Sequence, residues 1–287
     1  MQFQDIDHFL RNRADVLARG PVAVVLAEDG VEIVSTLEHV LRIGFQSAIL
    51  LHPPKVRPPT VLHDNVYYIP NDPHRDDALT APMNRLIAAA PAGTWMHYCF
   101  NAEYLHFPFC ESRTVGEMLA FHTEERRNAM LSYVVDLYAT DLKAHPNAVS
   151  LEDAHLDRVG YFALERPGEG GPKERQLDFH GGLRWRFEEH VPAARRRIDR
   201  ISLFRTRPDL ELRPDFTFND EEYNTYACPW HHNLTAAVCS FRTAKALKLN
   251  PGSKHDIRSF CWHNSVKFEW SSRQLMELGL MEPGQWF

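Results

Sequence analysis

Along the chain, apolar residues come in short blocks whose spacing changes from helical to strand-like and back. Phe3, Ile6, Phe9, Leu10, Val16 and Leu17 stand among charges at intervals that predict an amphipathic lead-in helix over 1–20. The run Val22-Ala-Val-Val-Leu-Ala27 is apolar and β-rich throughout, which predicts a strand buried on both faces inside a parallel sheet. Glu28-Asp29-Gly30 follows as a loop. Asp29 with Glu32 has the form of a capping box, and Val31, Val34, Leu37 and Leu41 repeat at helical spacing until Gly44. Residues 48–51 and 65–70 predict a second and a third strand, the first of them ending at His52. A helix is expected from about 77 to 90, with Pro82 in its first turn or at a kink. Trp95-Met-His-Tyr-Cys-Phe100 predicts a fourth strand.

Strand and helix thus alternate through the first hundred or so residues, the pattern of a doubly wound, mostly parallel α/β sheet. Such sheets bind ligands beyond the carboxyl ends of their strands. That rule alone singles out Glu28, Asp29, His52, Asn71, Asp72 and the segment from Asn101 to Tyr104. Further on, Thr114-Val-Gly-Glu117 is a cleaner capping box, and residues 130–137 predict another strand, carrying Tyr133 and Asp136. The Pro-, Gly- and charge-rich stretch 165–182 reads as a mobile loop or lid over the sheet edge, with a strand expected at 198–204 beyond it. The halves 1–150 and 151–287 are expected to belong to one compact domain, the second supplying a C-terminal extension.

Composition narrows the function classes. The 287 residues are 44% hydrophobic and 24% charged, ordinary for a folded protein, and the net charge is −6. A long nucleic-acid duplex calls for a basic surface, so nucleic-acid binding is disfavoured, and no apolar run approaches the ~18 residues of a membrane span. The cluster Arg184, Arg186, Arg195, Arg196, Arg197, Arg200, Arg205 and Arg207 reads as a solvated, salt-bridged face. Five cysteines without a C-x-x-C pair point to reduced thiols and a cytoplasmic location, Cys99 and Cys239 being core residues. The first strand-to-helix turn carries no G-x-G-x-x-G and no P-loop, and the chain has neither G-x-S-x-G nor H-E-x-x-H.

With those classes set aside, several ordered segments carry a resemblance. Pro21 to Gly30, the helix running to Arg42-Ile-Gly-Phe45, Trp95 to Leu105, and Tyr133-Val-Val-Asp-Leu-Tyr138 resemble the family-2-like bacterial glycosyltransferases of the GT-A, or nucleotide-diphospho-sugar transferase, fold. In that group an Asn-Glu pair ends the first strand, where this chain has Glu28-Asp29. The group's Trp is matched by Trp95, its Glu-Phe-Leu by Glu103-Tyr104-Leu105, and its Asp-Met-Tyr by Asp136-Leu-Tyr138. The two aspartates of its Asp-x-Asp metal motif fall on Phe100 and Ala102.

The resemblance implies transfer of a sugar from a nucleotide-sugar donor to a glycan acceptor, in polysaccharide biosynthesis, at or near the inner membrane. It implies a divalent cation, Mn²⁺ or Mg²⁺, against the donor diphosphate, for which Asn101 and Glu103 are the nearby oxygen ligands in place of the aspartates. Asp136 becomes the candidate base for the acceptor hydroxyl, Glu103 a metal or sugar ligand, and Glu28, Asp29, His52 and Asn101 the nucleotide contacts. A protein that keeps the fold and binds sugar or nucleotide without catalysis is the alternative.

Outside the resemblance, Cys228-Pro-Trp-His-His-Asn233 is the chemically densest segment. Trp230 is a candidate to stack on a sugar, His231 to contact acceptor or phosphate, and His232 to act in catalysis. Asp215 and Asp220 are reserve bases. A metal hydrolase built on His231 or His232 is a third reading, without a ligand triad of known spacing to support it. The aromatic tail ending Trp286-Phe287 is expected to dock on this domain or on a second subunit of a homo-oligomer.

Overall fold

The computed structural model describes residues 1–59, 63–226 and 233–286. The chain opens on α1 (Ile6–Arg13), whose N-cap Asp5 accepts the His8 N–H, and continues as a 3₁₀ segment over 14–19 rather than as one helix. Then come β1 (Val22–Leu26), α2 (Ile33–Arg42), β2 (Ser47–His52), β3 (Val66–Pro70), α3 (Thr80–Ala89) and β4 (Trp95–Phe100). Pro82 stands in the first turn of α3, where its missing N–H costs no helical hydrogen bond. β3, β2, β1 and β4 lie side by side and parallel.

The five residues of β1 are all buried because both faces of the sheet are covered. Val22, Val24 and Leu26 pack with Phe9 and with Met83 and Leu86 of α3. Ala23 and Val25, pointing the other way, pack with Leu37 and Val40 of α2. A strand with no polar face needs such a two-sided cover, so the apolar run and the doubly wound arrangement have one cause.

After β4 the chain forms β5 (Glu103–His106), α4 (Val115–Glu124), β6 (Ala129–Ala139), β7 (Ala154–Asp157), β8 (Phe162–Gly168), β9 (Gly171–His180), α5 (Gly182–Arg186), β10 (Asp199–Arg205), β11 (Ala236–Ser240), α6 (Arg242–Leu249), β12 (Ser265–Lys267) and α7 (Ser272–Glu277). The Thr114/Glu117 capping box that starts α4 is complete in both directions. The mixed sheet runs β12-β7-β6-β10-β4-β1-β2-β3, with β11 joined to β6 and β5. β10 is antiparallel to both its neighbours, β4 and β6, and β11 is parallel to β6. Strands from the second half of the chain are therefore set among strands of the first.

Three expectations are corrected. The stretch 165–182 is not a loop: it belongs to the β8–β9 hairpin, with the turn at 169–170. Its Gly and Pro residues suggest irregular backbone, but Arg166, buried where the hairpin's register shifts, is held by Asp178 at 2.6 Å and by Asp199 of β10 at 2.7 Å. The arginine cluster is not wholly a solvated face. Arg200 is only 3% exposed, because β10 is buried along nearly its whole length between β4 and β6, and Arg186 at the end of α5 is paired with the buried Asp157 of β7. The Asp29/Glu32 box does not form. Glu32 is the N-cap of α2 in a left-handed conformation and its carboxylate takes the Ser35 hydroxyl, while Asp29 accepts the Val31 N–H.

Trp286 packs on this domain against Phe107, Phe109 and Phe121. Among the described residues, no helix is long and apolar enough to cross a membrane.

Candidate functional site

The carboxyl ends of β1 and β4 are tied together by one side chain. Asn101 accepts the Glu28 N–H at 2.8 Å and donates to the Asp29 carboxylate at 2.7 Å and to the Val31 carbonyl at 2.8 Å. The loop between β1 and α2 is thereby fixed to the end of β4, and both acidic side chains are presented beyond the strand ends.

Each acid meets a cation from the first turn of α6. Arg242 donates Nε and Nη2 to the two Glu28 oxygens at 2.8 and 2.7 Å. Lys245 Nζ lies 2.8 Å from Asp29. Burial alone would raise the Asp29 carboxyl, but the Lys245 ammonium, with the Val31 and Asn101 hydrogen bonds, overrides it and holds the group below its usual range. The Arg242 guanidinium also lies over the Phe100 ring, its Cζ 3.7 Å from the ring centre. Arg242, Glu28 and Asp29 keep about a third of their side-chain surface exposed, whereas Lys245 is buried beneath them.

Below this layer is a second ion pair. Glu103, fully buried at the start of β5, forms a two-pronged bridge to Arg200 of β10, both bonds 2.8 Å, and accepts from the Phe100 N–H and the Ser240 hydroxyl. Burial opposes its charge, yet the Arg200 guanidinium wins and takes the carboxyl down to about 2. Asp136 lies on β6, in register with Ser240 of β11. Its Oδ2 accepts the Leu183 N–H at 2.9 Å, capping the start of α5, while among the described residues Oδ1 makes no well-aligned hydrogen bond. Burial raises this carboxyl, against the pull of Arg184. Arg184 joins α6 through Thr243 at 3.2 Å.

The structure thus brings Glu28, Asp29, Asn101 and Glu103 into one network and sets Asp136 at its inner end. His52 stays outside it: Nδ1 contacts the Pro53 carbonyl, and the ring stands edge-on to Tyr68. Trp230, His231 and His232 lie outside the described residues. Four carboxylates (Glu28, Asp29, Glu103, Asp136) stand with four cations (Arg184, Arg200, Arg242, Lys245), so the network is balanced in charge.

The residues present do not fit the divalent ion that the resemblance implies. Phe100 and Ala102 offer no side-chain oxygen, and both oxygens of Glu103 are already bonded. Where a metal would need anionic ligands, a guanidinium covers Phe100. Among the described residues, no group of three His, Cys, Asp or Glu side chains is placed to hold a metal ion.

Arg242 and Lys245 escape a reading by motif, yet the sequence holds a signal for them. Two cations in the first turn of a helix oppose its macrodipole, which favours acids there, and such a conflict marks a position kept for something other than helix stability. No protein-family model and no curated protein sequence matches the chain.

Proposed function

We propose that the chain is a GT-A-like glycosyltransferase that takes a nucleotide sugar and passes the sugar to a glycan acceptor. One observation carries the reading: the carboxyl ends of parallel strands β1 and β4 converge, through Asn101, on a partly open network of charged side chains at the place where an open α/β sheet binds ligands. The sheet order, with antiparallel β10 between β4 and β6, and the position of the resembling segments around this network support it.

In this reading the acceptor hydroxyl attacks the anomeric carbon in line, the bond from that carbon to the diphosphate breaks, and cations receive the departing charge. Asp136 is the candidate to take the hydroxyl proton. Among the described residues its Oδ1 makes no well-aligned hydrogen bond, and burial raises its proton affinity against the pull of Arg184 and Thr243. Glu103 orients Arg200 and the β4–β5 turn rather than holding a metal.

The test is calorimetric titration with UDP, GDP, CDP, dTDP and their common sugar conjugates, followed by assay of diphosphate release in the presence of glycan acceptors. Binding of one nucleotide and acceptor-dependent release support transfer. No binding of any of them overturns it. A second reading, sugar or nucleotide binding without catalysis, is favoured by the sealed position of Asp136, which is 1% exposed. Tight binding with no release distinguishes it.

A further inference from the structure

Resting on the nucleotide-sugar reading, we propose that Arg242 and Lys245 form a metal-independent seat for a diphosphate, with Glu28 and Asp29 as its built-in counter-ions. The inference comes from the mismatch at Phe100. A divalent ion bridges a diphosphate to protein carboxylates, and here the carboxylates are missing while permanent positive charge stands in the same place, 3.7 Å above the Phe100 ring.

Geometry suits the Arg242 fork to the task. Glu28 occupies Nε and Nη2, and among the described residues no acceptor is bonded to Nη1, so one edge of the guanidinium is left for an incoming phosphate oxygen. Lys245 adds a second, independent observation. Its side chain is 4% exposed and its ammonium carries three donors, of which the 2.8 Å contact with Asp29, its sole ion-pair partner among the described residues, takes one at most. A buried ammonium with unspent donors, three residues from a half-open guanidinium on the same helical turn, is a site for an anion with two charged groups. The first turn of α6 adds its own positive pole.

The counter-ions explain why such a seat is stable when empty. Without Glu28 and Asp29, two cations would face each other at a helix N-terminus; with them, the empty site is neutral. The cost is that a bound diphosphate shares its cations with two carboxylates. Removing one carboxylate charge should therefore tighten anion binding, the reverse of what a nucleotide-contacting Glu28 would show.

The experiment titrates the full chain with inorganic pyrophosphate and with UDP, GDP, CDP and dTDP, in EDTA and again in Mn²⁺. It is repeated on Arg242→Met, Lys245→Met and Glu28→Gln, with melting temperatures recorded for each. The expected result is equal affinity in EDTA and Mn²⁺, a loss of roughly tenfold or more in each cation variant, and a several-fold gain in Glu28→Gln. Binding only with Mn²⁺ overturns the seat and leaves the nucleotide-sugar reading standing. Metal-free binding unchanged in both cation variants, or weakened in Glu28→Gln, also overturns the seat. Pyrophosphate binding with no nucleotide binding keeps the seat and removes the nucleotide-sugar reading. No binding of any probe overturns both. Should the cation variants fail to fold, Glu28→Gln decides.

Discussion

The guanidinium of Arg242 rests on the ring of Phe100 and is gripped along one edge by Glu28. The ring is the platform and the carboxylate is the clamp, and the two together hold a partly exposed arginine in a single pose. Phe100→Leu removes the platform and leaves the clamp. The expected cost is about 1–3 kcal/mol from lost packing and cation–π attraction. A double-mutant cycle with Arg242→Met, read by urea denaturation, should show a coupling of roughly 0.5–2 kcal/mol. Additivity of the two substitutions would show that the stacking has no energetic content.

The Glu103–Arg200 bridge sets a second test. Glu103→Gln leaves Arg200, 3% exposed, without its counter-charge, and breaking a buried pair in this way costs about 3–5 kcal/mol. Replacing both partners by Met should recover most of that loss, because no buried charge then remains. Urea midpoints of the two variants check this. If Glu103 were instead a free ligand, Glu103→Gln would be nearly neutral in stability, and the double replacement would offer nothing further.

Glu103 also shows where reading the chain by pattern succeeds and where it stops. Periodicity finds the elements whose signal is local: the fully buried β1, the Thr114 capping box and the strand carrying Asp136. The same pattern puts Glu28, Asp29 and Asn101 at strand ends, which is where they are. It cannot supply partners distant in the chain. Arg200 is 97 positions from Glu103 and Arg242 is 214 from Glu28, so an isolated carboxylate in the sequence is a closed ion pair in the fold. The hairpin formed by β8 and β9 was hidden for a related reason. Its Gly-Pro composition reads as loop, while of the Arg166 bridges that fix it one joins Asp178 across the hairpin and the other needs Asp199 of β10, 33 positions further on.

Acid should unfold the protein from a higher pH than its carboxylates alone would allow. Burial lowers His39 to about 3, and His97, His106 and His122 to about 4, against 6.5 when unfolded. Protons therefore bind the unfolded chain first. The stabilisation is whole above pH 6.5, falls as pH drops below it, and stops falling once the folded values are passed. Each histidine contributes a slope of about 1.4 kcal/mol per pH unit, so up to about 5 kcal/mol is lost between pH 6 and pH 5. Glu103, at about 2 when folded against 4.5, adds a further loss below pH 4.5. Urea midpoints at pH 7, 6 and 5 measure it, and a flat profile over that range would contradict the burial of these rings.

The last prediction separates structure from chemistry at Asp136. Gly182 adopts φ +58°, and a Cβ there would stand 2.8 Å from Asp136 Oδ2. Gly182→Ala therefore forces a strained backbone and a contact with a buried carboxylate at once, and should destabilise by about 1–3 kcal/mol. Asp136→Asn makes the opposite change. The amide keeps the shape and its oxygen still accepts the Leu183 N–H; a charge that burial opposes is gone, but so is the pull it exerts on Arg184, and because the two opposing effects offset, the melting temperature should change little. Sugar transfer should nonetheless disappear, because an amide cannot take the acceptor proton. Full transfer by a stable Asp136→Asn protein would leave Asp136 as the cap of α5 and nothing more, and would move the base to a residue nearer the open end of the network.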